Sequence, residues 1–350
     1  MHVFDYRFLR SRSVDPDVLN RAVNIGIIKA RTAPDRRKGT IMEALERKAI
    51  IMSVTDSNAI EGIRTSEVRM VGLMADKVAP RGHEEREIAG YRDALRFIHR
   101  NHGTIPVDKA SILRIYGILM GYSETDPPSF KSRDNVIVDR EPDGTISAVY
   151  PTVPSEETEA AVDQMVWAFA EARNDPDINK LLLIPCFVMD FLRIHPFLDG
   201  NGRMSRLLTV LLLYQEGYDV CRYVSMESKI NAAKQDYYRS LEESQKGWFE
   251  NNCDYGPFIS FFLGQLFLCY RDLDRYVGEG LSRSKKSDAL ETYLRMCSVP
   301  VSKSELKVFF PSLSETTVER TLKAMCDSGE IVRVGNGKAS RYVAAARKVD

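Results

Sequence analysis

The chain has 350 residues, enough for two or three domains and at least one sizeable core. Its 49 basic and 49 acidic side chains cancel, so no global field steers it toward nucleic acid or an acidic membrane. The longest apolar stretch, Leu181–Leu192, is broken by Pro185 and Asp190 and is too short to cross a bilayer, and the N-terminus MHVFDYRFLRSRSVD is too charged for a signal peptide. A soluble, cytoplasmic protein without a membrane partner is expected. The six cysteines are scattered with no metal-ligand spacing, which reads as reduced thiols rather than a disulfide framework or a zinc site.

In chain order, helical periodicity dominates. Residues 40–60 place Met42, Leu45, Ala49, Met52 and Ser53 on one face, and 84–99 do the same with Ile88, Tyr91, Ala94, Leu95 and Ile98. Residues 108–121 and 156–173 give two further helices. Asn135–Val138 and Thr145–Tyr150 are β-branched runs around Pro142-Asp143-Gly144 and read as a hairpin, one that must lie on something because two strands alone are marginal. Two apolar helices follow at 179–194 and 203–216; Pro185 should start the first near 184 or kink it, and Gly217 stops the second. Residues 230–246 and 255–272 give two more. Gly278–Ser287 has linker composition. Beyond it, a helix at 288–297, a capping box Ser302–Glu305, a helix after Ser314 ending at Gly329, and strands Ile331–Val334 and Arg341–Val343 form the winged-helix pattern.

Between the two apolar helices stands His195-Pro196-Phe197-Leu198-Asp199-Gly200-Asn201-Gly202-Arg203-Met204-Ser205-Arg206. It is a helix end, a tight glycine loop and a new helix start. Backbone N–H groups at that start, where the macrodipole is positive, make an anion site, and phosphate is the natural anion. Arg203 and Arg206, three apart, project to one side and can reach further phosphates. Asp199 is placed to hold a hard cation, and His195 has a pKa suited to taking a proton from a hydroxyl. A lone histidine, a surface arginine pair or a GNG turn each has an ordinary structural explanation; their contiguity does not. Together they suit transfer to a phosphorus centre.

HPFLDGNGRMSR matches the Fic family motif HPFx[D/E]GNGRxxR at every fixed position, and the resemblance covers roughly residues 40–270. It implies a mainly α fold, a helical bundle with a small hairpin flap, followed here by a C-terminal winged-helix domain. It implies ATP as substrate, Mg²⁺ on Asp199, phosphates held by Gly200, Asn201, Gly202, Arg203 and Arg206, and His195 as base for a hydroxyl of a target protein's Ser, Thr or Tyr, the chain itself included. The hairpin resembles the family's flap, which holds the target segment by strand addition. Tyr238, in NAAKQDYYRSL, resembles the tyrosine near adenine; either Tyr237 or Tyr238 is otherwise a core aromatic.

Upstream, Ser57-Asn58-Ala59-Ile60-Glu61-Gly62 fits the family's inhibitory pattern [S/T]xxxE[G/N], which implies Glu61 pairing with Arg206 in place of the γ-phosphate; the alternative is an ordinary helix end. The expected division is an N-terminal helical region 1–100 with an inhibitory helix at about 44–62, a catalytic core 101–272, a linker 273–287 and a winged-helix domain 288–350. In that last domain Glu315 and Glu319 are mixed with Arg320 and Lys323, and the wing offers Lys338 and Arg341, a weak footprint for DNA. Target binding or self-association into a homo-oligomer is favoured over DNA. Protein adenylylation is the leading activity; another nucleotide or reaction of the same family, including AMP removal, and a transcriptional regulator with a vestigial core are the rivals.

Overall fold

The computed structural model describes residues 2–33, 39–123, 127–140, 146–280, 286–297, 299–337 and 340–345. At its centre lie α7 (Lys180–Ile194) and α8 (Asn201–Gln215), whose side chains are almost all buried. α6 (Ser155–Asn174) and α11 (Gly256–Gly280) cover α7, while α2 (Thr40–Ile60) and α4 (Gly82–Asn101) cover α8. α5 (Lys109–Met120) packs on α4, α9 (Met226–Ala232) on α2, and α10 (Lys234–Gln245) on α11. Among the described residues the hairpin of β1 (Val136–Arg140) and β2 (Ile146–Pro151) pairs only with itself, Val136 opposite Pro151. Its expected turn, Pro142-Asp143-Gly144, lies outside the described residues. Among the described residues no helix is long and apolar enough to cross a membrane.

Several boundaries differ from expectation, each for a local reason. α7 begins at Lys180, ahead of Pro185, because Asn179 caps it through Leu181 N–H at 2.9 Å and Lys180 Nζ ties down the carbonyls of Asp175 and Ile178 at 2.6 and 2.9 Å. The helix expected over 230–246 is two, parted at Ala233, whose φ of −117° leaves the helical range. The linker expected from 273 starts later, since Leu273, Tyr276 and Val277 continue the buried stripe of α11 to Gly280. Two helices were not anticipated: α1 (Pro16–Arg31), capped by Asp15 and lying along α11, and α3 (Glu67–Met74), capped by Ser66.

The C-terminal segment runs α12 (Lys286–Met296), β3 (Val301–Ser302), α13 (Lys303–Phe309), α14 (Glu315–Asp327), β4 (Ile331–Val334), β5 (Arg341–Ala344), with the sheet ordered β3-β5-β4. Ser302 and Glu305 form the expected capping box. The short β3 was not expected. This segment packs on α2 and α3: Arg47 donates to the Phe309 carbonyl at 2.9 Å, Lys48 Nζ sits 5.0 Å from the Tyr293 ring, and Glu67 pairs with Arg341 and accepts from Ser302.

Candidate active site

α7 ends at His195, which caps the helix in the left-handed conformation (φ 52°, ψ 58°) and keeps its N–H on the Phe191 carbonyl at 3.0 Å. An L-residue there costs about 1–2 kcal/mol. The turn is held open by Phe197, fully buried and stacked on Tyr116 with ring centroids 3.7 Å apart. His195 Nδ1 lies 3.2 Å from the Leu192 carbonyl, an acceptor only, so Nδ1 carries the proton and Nε2 presents its lone pair. Burial pushes the imidazole down to about 4, with Lys131 and Arg193 adding to the effect and Glu61 opposing it. At neutral pH the ring is a base with its proton site empty.

Asp199, mostly exposed, accepts from Gly200 N–H at 2.6 Å and lies 3.2 Å from Arg203 Nη2. Gly200 turns the chain at φ 79° into α8. The first N–H of α8 to find a helical acceptor is that of Met204, on Gly200 O at 2.8 Å, which leaves those of Asn201, Gly202 and Arg203 as the anion-facing turn. The Asn201 side chain is engaged within the turn itself. Its amide bridges Phe197, accepting from the N–H at 3.0 Å and donating to the carbonyl at 2.7 Å, so only its main chain faces an anion.

The two arginines do not share a destination. Arg203, 2% exposed, forms an ion pair with Glu87 of α4, 1% exposed, and reaches back to Asp199. Side chains starting on one helix face diverge because each is drawn to a separate carboxylate, buried Glu87 for Arg203 and part-exposed Glu61 for Arg206, and the Arg203–Glu87 pair ties α4 to the loop. Arg206, 3% exposed, points to the end of α2: Nε donates to Ser57 Oγ at 2.8 Å, and Nη2 to the Ser57 carbonyl at 2.9 Å and to Glu61 Oε1 at 2.7 Å. Burial works against its charge, but Glu61 holds the guanidinium protonated above its ordinary value.

Ser57 to Gly62 is both an arginine partner and a helix end. Gly62 N–H bonds Ala59 O at 3.0 Å and Ile63 N–H bonds Asn58 O at 2.9 Å, a Schellman motif with Gly62 at φ 84°. It delivers the Glu61 carboxylate against the first turn of α8, so close that a Cβ added at Gly202 would collide with Oε1. The rest of α2 is anchored. Ser53 Oγ and Tyr91 Oη both donate to buried Glu227, Asp56 accepts from Ser228 and from Asn231 at 2.8 Å, and Lys234 Nζ donates to the Ile60 carbonyl at 2.6 Å.

Tyr237 is buried, with Ser205 and Arg206 on its hydroxyl, whereas Tyr238 is 39% exposed and stands over Lys234. The choice left open between the two tyrosines thus has an inward and an outward member. Two buried charged residues at the site went unnoticed in the sequence: Glu87, although its spacing of four from Tyr91 puts it on the inner face of its helix, and Lys131, which no local pattern marks. In the C-terminal segment Lys303 and Lys307 bind Glu319 and Glu315 at 2.8 and 3.0 Å, and Arg341 binds Glu67. Lys338 lies outside the described residues.

Residues 106–213 match the model of the Fic/DOC family. "Protein adenylyltransferase Fic" of Nematostella vectensis is 24% identical over 233 residues, 63% of this chain and 48% of that protein. "Protein adenylyltransferase fic-1" of Caenorhabditis elegans is 24% identical over 247 residues, 68% of this chain and 43% of that protein. The chain spans about half the length of the curated relatives it matches. Among solved structures, a Fic family protein from Desulfovibrio desulfuricans G20 superposes with a TM-score of 0.61 at 20% identity over 97% of this chain and 99% of its own. Fic-1 from C. elegans gives 0.57 at 20% identity over 76% and 74%. These likenesses share the helical fold.

Proposed function

Residues 106–213 form a Fic/DOC domain, and from that premise we propose that the chain is a protein adenylyltransferase that restrains itself through Glu61. The observation carrying this reading is the Glu61 carboxylate lying on Arg206 and against Gly202, with the basic face of His195 on the same turn. A carboxylate in that place takes the donors a terminal phosphate requires. With Glu61 swung aside, ATP lays its phosphates over the first turn of α8, Arg206 binds the γ-phosphate, and the adenine lies against Tyr238. His195 Nε2 then takes the proton of a target hydroxyl as its oxygen bonds the α-phosphorus. The bond from that phosphorus to the bridging oxygen breaks, and pyrophosphate leaves. Glu61 misplaces rather than excludes the nucleotide, and a shift of about 1 Å costs about a hundredfold in rate.

Asp199 is the residue that would hold Mg²⁺, whose charge would neutralise the phosphates. Among the described residues no three His, Cys, Asp or Glu side chains converge to hold a metal alone, which suits an ion bound by one exposed carboxylate and the substrate's own oxygens. The C-terminal segment, with the winged-helix order, is read as a protein-docking module, because Lys303, Lys307 and Arg341 are spent on carboxylates of this chain rather than presented to phosphates. Wild type and Glu61→Gly incubated with α-labelled ATP and a lysate test the proposal. Label on protein, this chain included, is expected chiefly from the variant, and its absence from both refutes transfer.

A further inference from the structure

Lys131 precedes the hairpin in a loop rich in polar residues, yet it is 4% exposed. Its ammonium donates three hydrogen bonds: to Asn135 Oδ1 at 2.9 Å, to Thr152 Oγ1 at 2.9 Å and to the Ile194 carbonyl at 3.1 Å. Asn135 immediately precedes β1 and Thr152 immediately follows β2, so the first two acceptors are the two feet of the hairpin. The third is the peptide preceding His195. The same segments are also joined by Lys131 N–H to the Pro196 carbonyl at 2.8 Å, and by Asn135 Nδ2 to the Phe197 carbonyl at 2.8 Å and the His195 carbonyl at 3.5 Å. Among the described residues the hairpin sheet has two strands, with Val136 and Val149 exposed, and edges that suit strand addition by an extended target.

We propose that Lys131 is a positioning residue for the transfer reaction, locking the feet of the hairpin to the peptides that bracket His195 so that an acceptor segment on the hairpin and the catalytic base keep one fixed register. This inference rests on the adenylyltransferase reading for the chemistry it serves, but not for the lock itself. Three acceptors need three N–H donors, which the ammonium has and the neutral amine lacks. Burial lowers Lys131 to about 8, with Asp134 of its own loop opposing, and the Lys131 charge in turn lowers His195. Raising the pH through that midpoint therefore removes one bond of the lock. A guanidinium, which stays charged, does not respond.

The test uses the full chain carrying Glu61→Gly, alone and with Lys131→Met or Lys131→Arg. Lys131→Met should lower kcat by at least about tenfold, while binding of a non-hydrolysable ATP analogue changes by less than about twofold. The parent should lose activity as pH rises through about 8, and Lys131→Arg should retain activity across that range. Histidine ¹⁵N spectra give a readout independent of turnover, with the His195 resonances moving in Lys131→Met and its midpoint rising once the neighbouring cation is gone. If Lys131→Met does not fold, Asn135→Ala, which frees the hairpin side and keeps the ammonium, should still raise KM for the acceptor. Unchanged kcat in Lys131→Met, or an alkaline loss identical in Lys131→Arg, overturns the inference. A parent that labels nothing refutes the transferase reading alone, and the His195 spectra then decide the lock: unmoved resonances refute it.

Discussion

Two helix ends meet at this site, and they are closed in different ways. α2 finishes in a Schellman motif whose left-handed position is Gly62, at φ 84°. α7 also finishes in a left-handed residue, but that residue is His195, at φ 52°. Reversing the chain after α2 requires only a conformation, and glycine adopts it without strain. After α7 the reversal must also carry an imidazole, and strain is accepted where chemistry needs a side chain. The first turn aims a carboxylate and the second an imidazole, which we propose act as inhibitor and base, toward the same first turn of α8.

The strongest way to break this comparison is to separate the side chain of His195 from its backbone conformation. His195→Ala should cut transfer by about 10²–10⁴-fold while ATP affinity, read by calorimetry, is retained. Turnover close to that of the parent would mean that the turn, and not the imidazole, is what the site needs. Next in size is Glu61→Gly, which should raise labelling at least about tenfold, equivalent to about 1.4 kcal/mol. Arg206→Ala should give no such gain, because it removes the partner of the phosphate together with that of the inhibitor. Equal labelling by wild type and Glu61→Gly would reduce the α2 turn to a helix cap.

The conformational half of the comparison predicts opposite signs for one pair of substitutions. Gly62→Ala should destabilise the chain by about 1 kcal/mol, and His195→Gly should be more stable than His195→Ala by a similar amount, both measured by denaturant unfolding. The smallest effect is that of pH. With its proton affinity lowered to about 4 by burial, His195 stays neutral on mild acidification, and kcat/KM should change by less than about twofold between pH 7 and 5.5. An ordinary imidazole at about 6.5 would lose about tenfold over that span. The rate should fall only as pH drops through the lowered value, when the base becomes protonated.

The sequence made the site legible where its parts are contiguous. The run His195–Arg206 carries its helix end, turn and helix start in twelve letters, and Ser57–Gly62 carries its cap in six. What it hid were partners brought from elsewhere by packing. The partner of Arg203 was hidden because nothing local shows that Glu87, more than a hundred positions earlier, is buried opposite it. The bridge from Asn201 to Phe197 was hidden because it exists only once the turn has closed. Lys131 went unmarked because the three oxygens around it come from two hairpin feet and a helix end. α1 was missed although Asp15-Pro16 is a helix-start signal, and α11 outran its expected end because the composition of 278–287 drew the boundary too early.

The anchoring of α2 sets how the contact between Glu61 and Arg206 depends on concentration. With Ile60 held by Lys234, and Asp56 by Ser228 and Asn231, Glu61 is a tethered ligand of Arg206 that cannot diffuse away. Its effective molarity is fixed by the chain, on the order of millimolar or higher for so short a tether. Dilution does not weaken it and overexpression does not strengthen it. Any ligand that needs Arg206 competes with the same tethered carboxylate in every copy of the molecule.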